Sequence, residues 1–418
     1  MTQGLLMLGM FTVGYTLLAK KLSDSMLTAP MLFLGFGLLM AQTGFMPLDD
    51  AEALLHIVAE FALIVLLFLD AAQINLRSLR KNHEWPFRML IIGLPLAVGI
   101  GTLAALPFTT AYPVVVAALV AALLAPTDAA LGQAVVTNKK VPERVRSALT
   151  VESGLNDGMA LPVVLLFASL TAQMMHTDTT NWILFGAKQL AFGPLVGAAI
   201  GVIGGKIFLL AKKHRMTTVQ IEGIGALAMA GSAYLAAGMI DGNGFISAFV
   251  AGLLFGNVIK GHCGFIYEFT EGEGQMLTWG AFFLIGLALM PNAIAHLSFE
   301  TLAIILISLF VVRPLAIWFS LMGTDAGPIT RIFFGWFGPR GLATALFALL
   351  IVDEIDHEIG EQLLNLAVNA VWISAILHGV TAVPFAKWYA AHMASKDKAA
   401  EMEEVQPMRP DVSKEVLT

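Results

Sequence analysis

Charge is scarce in this 418-residue chain: Asp, Glu, Lys and Arg make up 13% of it, about half of what a soluble globular protein carries. With 57% hydrophobic residues and a mean hydropathy of +0.79, that scarcity excludes a soluble globular class and leaves an integral membrane protein. Cysteine is nearly missing. Cys263, the single one, excludes an internal disulfide and a cysteine-based metal cluster. No basic residue precedes the first apolar run, Leu5 to Leu18, so a cleavable signal peptide is not expected. No G-x-G-x-x-G fingerprint follows a soluble strand pattern, and the polar stretch after Tyr389 is short. Neither a nucleotide, a nucleic acid nor a regulatory domain is expected. Glycine, by contrast, is plentiful at 39 residues, as in tightly packed membrane helices.

Apolar runs long enough to span a bilayer number thirteen, near 4–19, 27–46, 53–71, 87–107, 112–136, 147–174, 182–210, 217–238, 244–260, 265–290, 300–322, 329–352 and 361–389. The basic residues test that count. Twenty of the 24 Lys and Arg fall in loops after odd-numbered spans or in the tail, among them Lys20, Arg77, Lys139, Lys212, Lys260 and Arg331. The other four, Lys188, Lys206, Arg313 and Arg340, lie within spans. Such one-sidedness predicts the amino terminus outside and the carboxyl terminus in the cytoplasm. The outer loops are acidic (Asp49, Asp50, Glu52, Asp178, Asp241, and Asp353 to Glu361), which reads as a solvated rim, with a cation-attracting funnel as the sharper alternative. Residues 391–418 form a short polar tail.

Ionisable groups within spans cost about 3 kcal/mol each and need a partner, water or a function. They concentrate in three segments. Span five, "VVVAALVAALLAPTDAALGQAVV", has Pro126 in its interior, followed by Thr127 and Asp128. Proline removes a helix hydrogen bond and clashes with the turn before it, so this helix is expected to break there and free the carbonyls of Ala125 to Thr127. Span twelve, "RIFFGWFGPRGLATALFALLIV", surrounds Arg340 with Gly335, Gly338, Pro339 and Gly341, and a second break is expected. The two lie seven spans apart. An odd offset inverts orientation, the requirement for inverted repeats that bind ions between broken helices. Span six, "LTVESGLNDGMALPVVLLF", sets Glu152 four residues from Asn156 and Ser153 four from Asp157, one polar stripe along a helix.

Asp128, Glu152, Asp157 and Arg340 together carry two net negative charges when ionised, so the site should hold protons, cations, or each in turn. Arg340 cannot deprotonate and needs a fixed partner, for which Glu152 is the expected acid. Asp157 is then left to exchange, with a proton and a small monovalent cation competing for one carboxylate. Elsewhere, His56 and Glu60 are expected to pair, and Arg313 before Pro314 to cap a kink or balance a core acid. Asn369 and His378 read as polar helix contacts, and Lys188 as snorkelling to the outer interface.

The strings "APTDAALG", "ESGLNDG" and "GWFGPRGLATALFA", with "LLFLDAAQINLRSLR" ending span three, resemble the monovalent cation:proton antiporter superfamily, NhaP/NHE branch. The resemblance covers nearly the whole chain. It implies an all-α polytopic fold of thirteen transmembrane helices, NhaA-like, with inverted repeats and two broken crossing helices. It also implies a homodimer in the cell inner membrane, with a dimerisation part (about 1–85 and 180–297) and an ion-translocating core (about 86–179 and 298–390). Asp157 is implied as the ion-binding carboxylate, flanked by the Thr127 carbonyl, Asp128 and Ser153, with Asp70 through water. Glu152 and Arg340 are implied as a buried ion pair, and Asn156 as fixing the helix crossing. Glu268, Glu271 and Glu273 read as a cytoplasmic funnel or pH-sensing patch.

The implied activity is electroneutral exchange of Na+, or Li+ or K+, for H+ by an elevator-like movement. It needs no cofactor and no enzymatic chemistry. K+/H+ exchange is the near alternative. Symport of an organic anion is a further one, opposed by two free acids at the site. An intramembrane aspartyl protease would need Tyr-Asp and Gly-x-Gly-Asp strings, which do not occur, and no channel filter loop is visible.

Overall fold

A computed structural model describes residues 2–22, 25–45, 48–74, 76, 84–128, 131–175, 182–259, 272, 274–352, 354–394 and 400–402. Helix is the only regular structure among them. The helices are α1 (Thr2–Leu22), α2 (Ala29–Thr43), α3 (Leu48–Ala72), α4 (Glu84–Phe108), α5 (Val114–Leu123) and the one-turn α6 (Gln133–Val136). They continue as α7 (Glu143–Met175), α8 (Trp182–Lys213), α9 (Val219–Gly238), α10 (Gly244–Ile259), α11 (Gln275–Ala295) and α12 (Phe299–Ser320). The last are α13 (Pro328–Trp336), α14 (Leu342–Ile351) and α15 (His357–Ala394). Eight of the described helices are long and apolar enough to cross a membrane, and α2, α5, α10 and α14 are shorter apolar ones.

Local chemistry sets several boundaries. Thr28 caps α2 by accepting the Met31 amide, and Gly44, at φ 69°, takes the left-handed conformation that ends it. Ser298 caps α12 by accepting the Thr301 amide at 3.1 Å. Proline in the first turn of α2 and α13 sits where its missing N–H has no helix partner to lose.

Glycines let the helices close on one another. Gly193, Gly197 and Gly201 of α8 lie against the backbone of Asn243, just ahead of α10, and of Ser247 and Ala251 within it. On the other side of α10, Gly252 and Gly256 meet the backbone of Phe68 and Ala72 in α3. A side chain at any of these would meet main chain, so α3, α8 and α10 pack as a small-residue stack of the kind that drives helix association in lipid. Large apolar side chains remain outside, including Leu17 (81% exposed) on α1, Leu195 on α8 and Ile224 on α9. Apolar surface on this scale suits lipid or another protein.

Candidate functional site

The two sequence-expected breaks are present and touch. Helix α5 stops at Leu123, and 124–128 carry no helix. Helix α13 stops at Trp336, and α14 starts at Leu342. The Asp128 amide donates to the Pro339 carbonyl at 2.9 Å, one break hydrogen-bonded to the other. The side chains then exchange caps. Asp128 Oδ2 accepts from the Leu342 amide at 2.9 Å, a carboxylate at the positive end of α14. Arg340 Nη1 donates to the carbonyls of Ala125 (2.8 Å) and Pro126 (3.2 Å), a cation on two carbonyls of the break just beyond the end of α5. Its Nη2 donates to Ser308 Oγ at 3.1 Å. Gly341 is required here, because a Cβ on it would run into the Asp128 carboxylate.

Helix α7 lays its polar stripe along the first break. The Ser153 hydroxyl donates to the Thr127 carbonyl at 2.8 Å. Asn156 Nδ2 donates to Thr127 Oγ1 (3.1 Å) and to Glu152 Oε1 (3.0 Å). The Thr127 hydroxyl in turn donates to Glu152.

Glu152 is paired, but with Arg313, where Arg340 was expected. Arg313 Nη1 and Nη2 donate to Oε1 and Oε2 at 3.2 Å each, and both residues are buried. The reason is geometric. Arg340 stands in the second break, beside the Ala125 and Pro126 carbonyls, and its fork is used there. Arg313 enters from α12, just after a π turn over Ser308–Val312 that shifts the helix register ahead of Pro314. Its Nη2 also reaches the Phe337 carbonyl at 3.4 Å, and a Cβ on Gly338 would collide with its guanidinium. Sequence reasoning left Arg313 between two roles. Its position before a proline in an apolar span was the signal that it serves a buried acid.

Asp157 stands apart from these pairs. Among the described residues its Oδ1 is buried and has no hydrogen-bond partner, and the same holds for Oδ1 of its neighbour Asn156. The acids that act on Asp157 by charge are Asp128, Asp70 and Glu152. Four carboxylates face two guanidiniums, both already committed, so the cluster lacks positive charge. A buried Asp157 oxygen without a donor among the described residues fits a proton or an oxygen-loving monovalent cation. A narrow cleft lined by Thr127, Asp128, Gly132, Val136, Leu149, Glu152 and Ser153 reaches the crossing from the α6–α7 side.

Asp70 is partly buried near the end of α3, its backbone carbonyl facing Gly154 of α7. Gly158, one turn further along α7, lies against the ring of Phe249 in α10. The side chain of His56 and residues Glu268, Glu271 and Glu273 lie outside the described residues. Glu60 accepts from the Tyr234 hydroxyl. Lys188 forms an exposed ion pair with Asp241 at 3.3 Å.

Known proteins resemble this chain in sequence and in fold. The chain is 26% identical over 275 residues to the K(+)/H(+) antiporter NhaP of Alkalimonas amylolytica, covering 65% of this chain and 46% of the relative. It is 27% identical over 359 residues to the K(+)/H(+) antiporter NhaP2 of Shewanella oneidensis, covering 84% of this chain and 61% of that one. The Na(+)/H(+) antiporter ApNhaP of Aphanothece halophytica is 26% identical over 345 residues, 78% of this chain and 63% of the relative. This chain thus spans about half to three fifths of these relatives' lengths. The fold matches the sodium proton antiporter MjNhaP1 of Methanocaldococcus jannaschii at a TM-score of 0.77 and 18% identity, covering 93% of this chain and 98% of that one. The family described as sodium/hydrogen exchanger, transmembrane, matches residues 7–388. A multi-pass helical membrane protein with two broken helices crossing beside a carboxylate cluster, this chain belongs to the sodium/hydrogen exchanger transmembrane family.

Proposed function

We propose that this protein exchanges a monovalent cation for H+, one for one, at Asp157. The observation that carries the reading is the buried Asp157 Oδ1, unpartnered among the described residues, in a cluster whose two arginines are used elsewhere. Asp128 is turned to the α14 amide and Glu152 to Arg313, which leaves Asp157 to take up and release ions. The Thr127 carbonyl, Ser153 and Asp128 serve as further oxygen ligands, with Asp70 reaching the ion through water. A proton and a cation cannot share one carboxylate, so each loaded form carries the same charge and exchange is electroneutral. No covalent step occurs, so the protein acts as a transporter and needs no cofactor. Na+ is the leading cation, with Li+ or K+ as alternatives. Relatives named for K+ and for Na+ keep both in play.

Alternating access is assigned to the part at about 86–179 and 298–390, which holds both breaks, moving as an elevator against the part at about 1–85 and 180–297. That second part pairs two protomers. With thirteen spans, the amino terminus lies outside a cell inner membrane and the carboxyl terminus in the cytoplasm, a reading supported by the one-sided basic residues.

Proteoliposomes with a pH-sensitive dye test the reading, with Na+, Li+ and K+ pulses given in turn from mildly acid to alkaline pH. Asp157→Asn should abolish dequenching by every cation while leaving a folded protein. Wild-type exchange in that variant would overturn Asp157 as the carrier.

A further inference from the structure

The two halves of the core share more than their breaks. Helices α4 and α12 each carry a π turn, Met89–Gly93 and Ser308–Val312, that ends two residues before Pro95 and Pro314, a spacing α11 also has before Pro291. Leu-Ala follows Pro95 and Pro314. The breaks hold Pro126 and Pro339. Helices α7 and α15 each carry one interior proline, Pro162 and Pro384, two residues after an alanine. Counting back from those last two prolines pairs Glu152 with Ser374, Asn156 with His378, and Asp157 with Gly379.

The paired residues do corresponding work. Glu152 and Asn156 hold Thr127 in the first break. Ser374 and His378 bracket the second. His378 Nε2 lies 2.9 Å from the Trp336 carbonyl, the last residue of α13. That oxygen only accepts, so Nε2 carries a hydrogen and donates it. His378 Nδ1 lies 3.1 Å from Ser374 Oγ and 2.9 Å from the Ser374 carbonyl. The Ser374 hydroxyl accepts the Arg340 amide at 2.7 Å. Trp336 stacks on the His378 ring and donates to Thr381 Oγ1 at 3.1 Å, which holds that ring in place. Ser374 and His378 are 0% and 1% exposed, so these bonds have no water to replace them.

From this geometry we infer that Ser374 and His378 are the positioning pair of the second break, the counterparts of Glu152 and Asn156. They fix both ends of the Trp336–Arg340 segment. Arg340 in turn grips Ala125 and Pro126, immediately ahead of Thr127. His378 thereby sets where the Thr127 carbonyl stands from a helix that supplies no ion ligand of its own, since Gly379 occupies the place of Asp157. The inference rests on the proposed role of Thr127 and Asp157 in cation binding. Its consequence is specific: loosening the second break should weaken the cation through Thr127 more than it slows turnover.

The test compares His378→Phe, which keeps a ring on Trp336 but no hydrogen bond, with His378→Gln, whose amide reaches the Trp336 carbonyl. In proteoliposomes, His378→Phe should raise the KM for Na+ or K+ roughly tenfold, the size of one buried hydrogen bond, with a smaller change in maximal rate. His378→Gln should recover most of it. In detergent, the cation concentration that gives half-maximal thermal protection should rise in parallel for His378→Phe. Wild-type KM in a folded His378→Phe overturns the inference. So does a lowered melting temperature with an unchanged half-maximal cation concentration, or no recovery with Gln. Should His378→Phe not fold, Ser374→Ala leaves the Trp336 bond intact and should still raise the KM several-fold; wild-type affinity there also overturns the inference. Asp157→Asn in the same thermal assay separates the two claims. Retained cation protection in it defeats the proposed function, whereas its loss leaves His378 to be judged alone.

Discussion

Glu152 and Arg313, 161 residues apart in the chain, face each other fork to fork, with two parallel N–H···O bonds of 3.2 Å in a buried setting. Removing one partner of such a pair leaves an uncompensated charge and costs about 3–5 kcal/mol. Glu152→Gln and Arg313→Met should each lower the melting temperature in detergent strongly. The double variant Glu152→Gln, Arg313→Met should recover a large part of that loss. Additive single effects in this cycle would show that the two do not act as a pair.

Arg340 makes a different prediction, because its partners are carbonyls. Arg340→Met strands the acceptors of Ala125 and Pro126 at about 1–3 kcal/mol each and loosens the first break next to Thr127. Stability and exchange should fall together. Combining it with Glu152→Gln should show weaker coupling than the Glu152–Arg313 cycle, since Glu152 is bonded to Arg313 and reaches Arg340 only by charge and through Thr127. Strong coupling between Arg340 and Glu152 in that cycle would restore the pairing the sequence suggested.

Gly158 sits directly after Asp157 and against the ring of Phe249, where α7 meets α10. Gly158→Ala forces that ring aside, an overpacking cost of about 1–3 kcal/mol. Exchange should drop severalfold, and Phe249→Leu in the same background should restore it by making room. Full activity in Gly158→Ala alone would show that this surface has slack.

Asp325 lies in the α12–α13 loop, where Arg144 Nη1 donates to it at 2.7 Å and Trp85 Nε1 donates at 2.7 Å. Burial acts to raise its carboxyl, but the Arg144 and Trp85 hydrogen bonds and the Arg144 charge outweigh burial and hold it below the usual value of 3.8. A depressed carboxyl stabilises the fold above its unfolded value and loses that contribution as pH falls through the folded one. Asp325→Asn should therefore cost up to about 1 kcal/mol at neutral pH, and the difference should shrink as pH falls below about 4. A melting series across acid pH measures it; a gap that widens on acidification would reverse the sign.

Glu401 docks the segment Ala400–Met402 on the same end of the core. It accepts from the Gly327 amide at 3.0 Å and from the Thr330 hydroxyl at 2.6 Å, capping α13 from outside the helix. Glu401→Ala should cost about 1 kcal/mol of thermal stability, the size of a lost N-cap. An unchanged melting temperature would show that the cap contributes nothing.

The α13 cap shows where reading the sequence stops. Glu401 sits in a polar tail with no local pattern to mark it, and its partners lie more than 70 positions away. Both breaks, by contrast, were readable, because proline and clustered glycine disrupt a helix through local sterics alone. The polar stripe of α7 was readable for the same reason: four-residue spacing is a property of the helix, whatever packs on it. The repeat was visible in layout, and three prolines per half were available to register it.

Composition and the one-sided basic residues thus determined the membrane class, and covalent geometry determined where helices break and which acids share a face. Only the packed structure decided which arginine meets Glu152, because two buried guanidiniums compete for one carboxylate. Arg340 is held at the Ala125 and Pro126 carbonyls of the first break, and the π turn before Pro314 delivers Arg313 to the acid. Partner choice between groups distant in the chain depends on distances of a few ångströms between helices, and no local spacing encodes those.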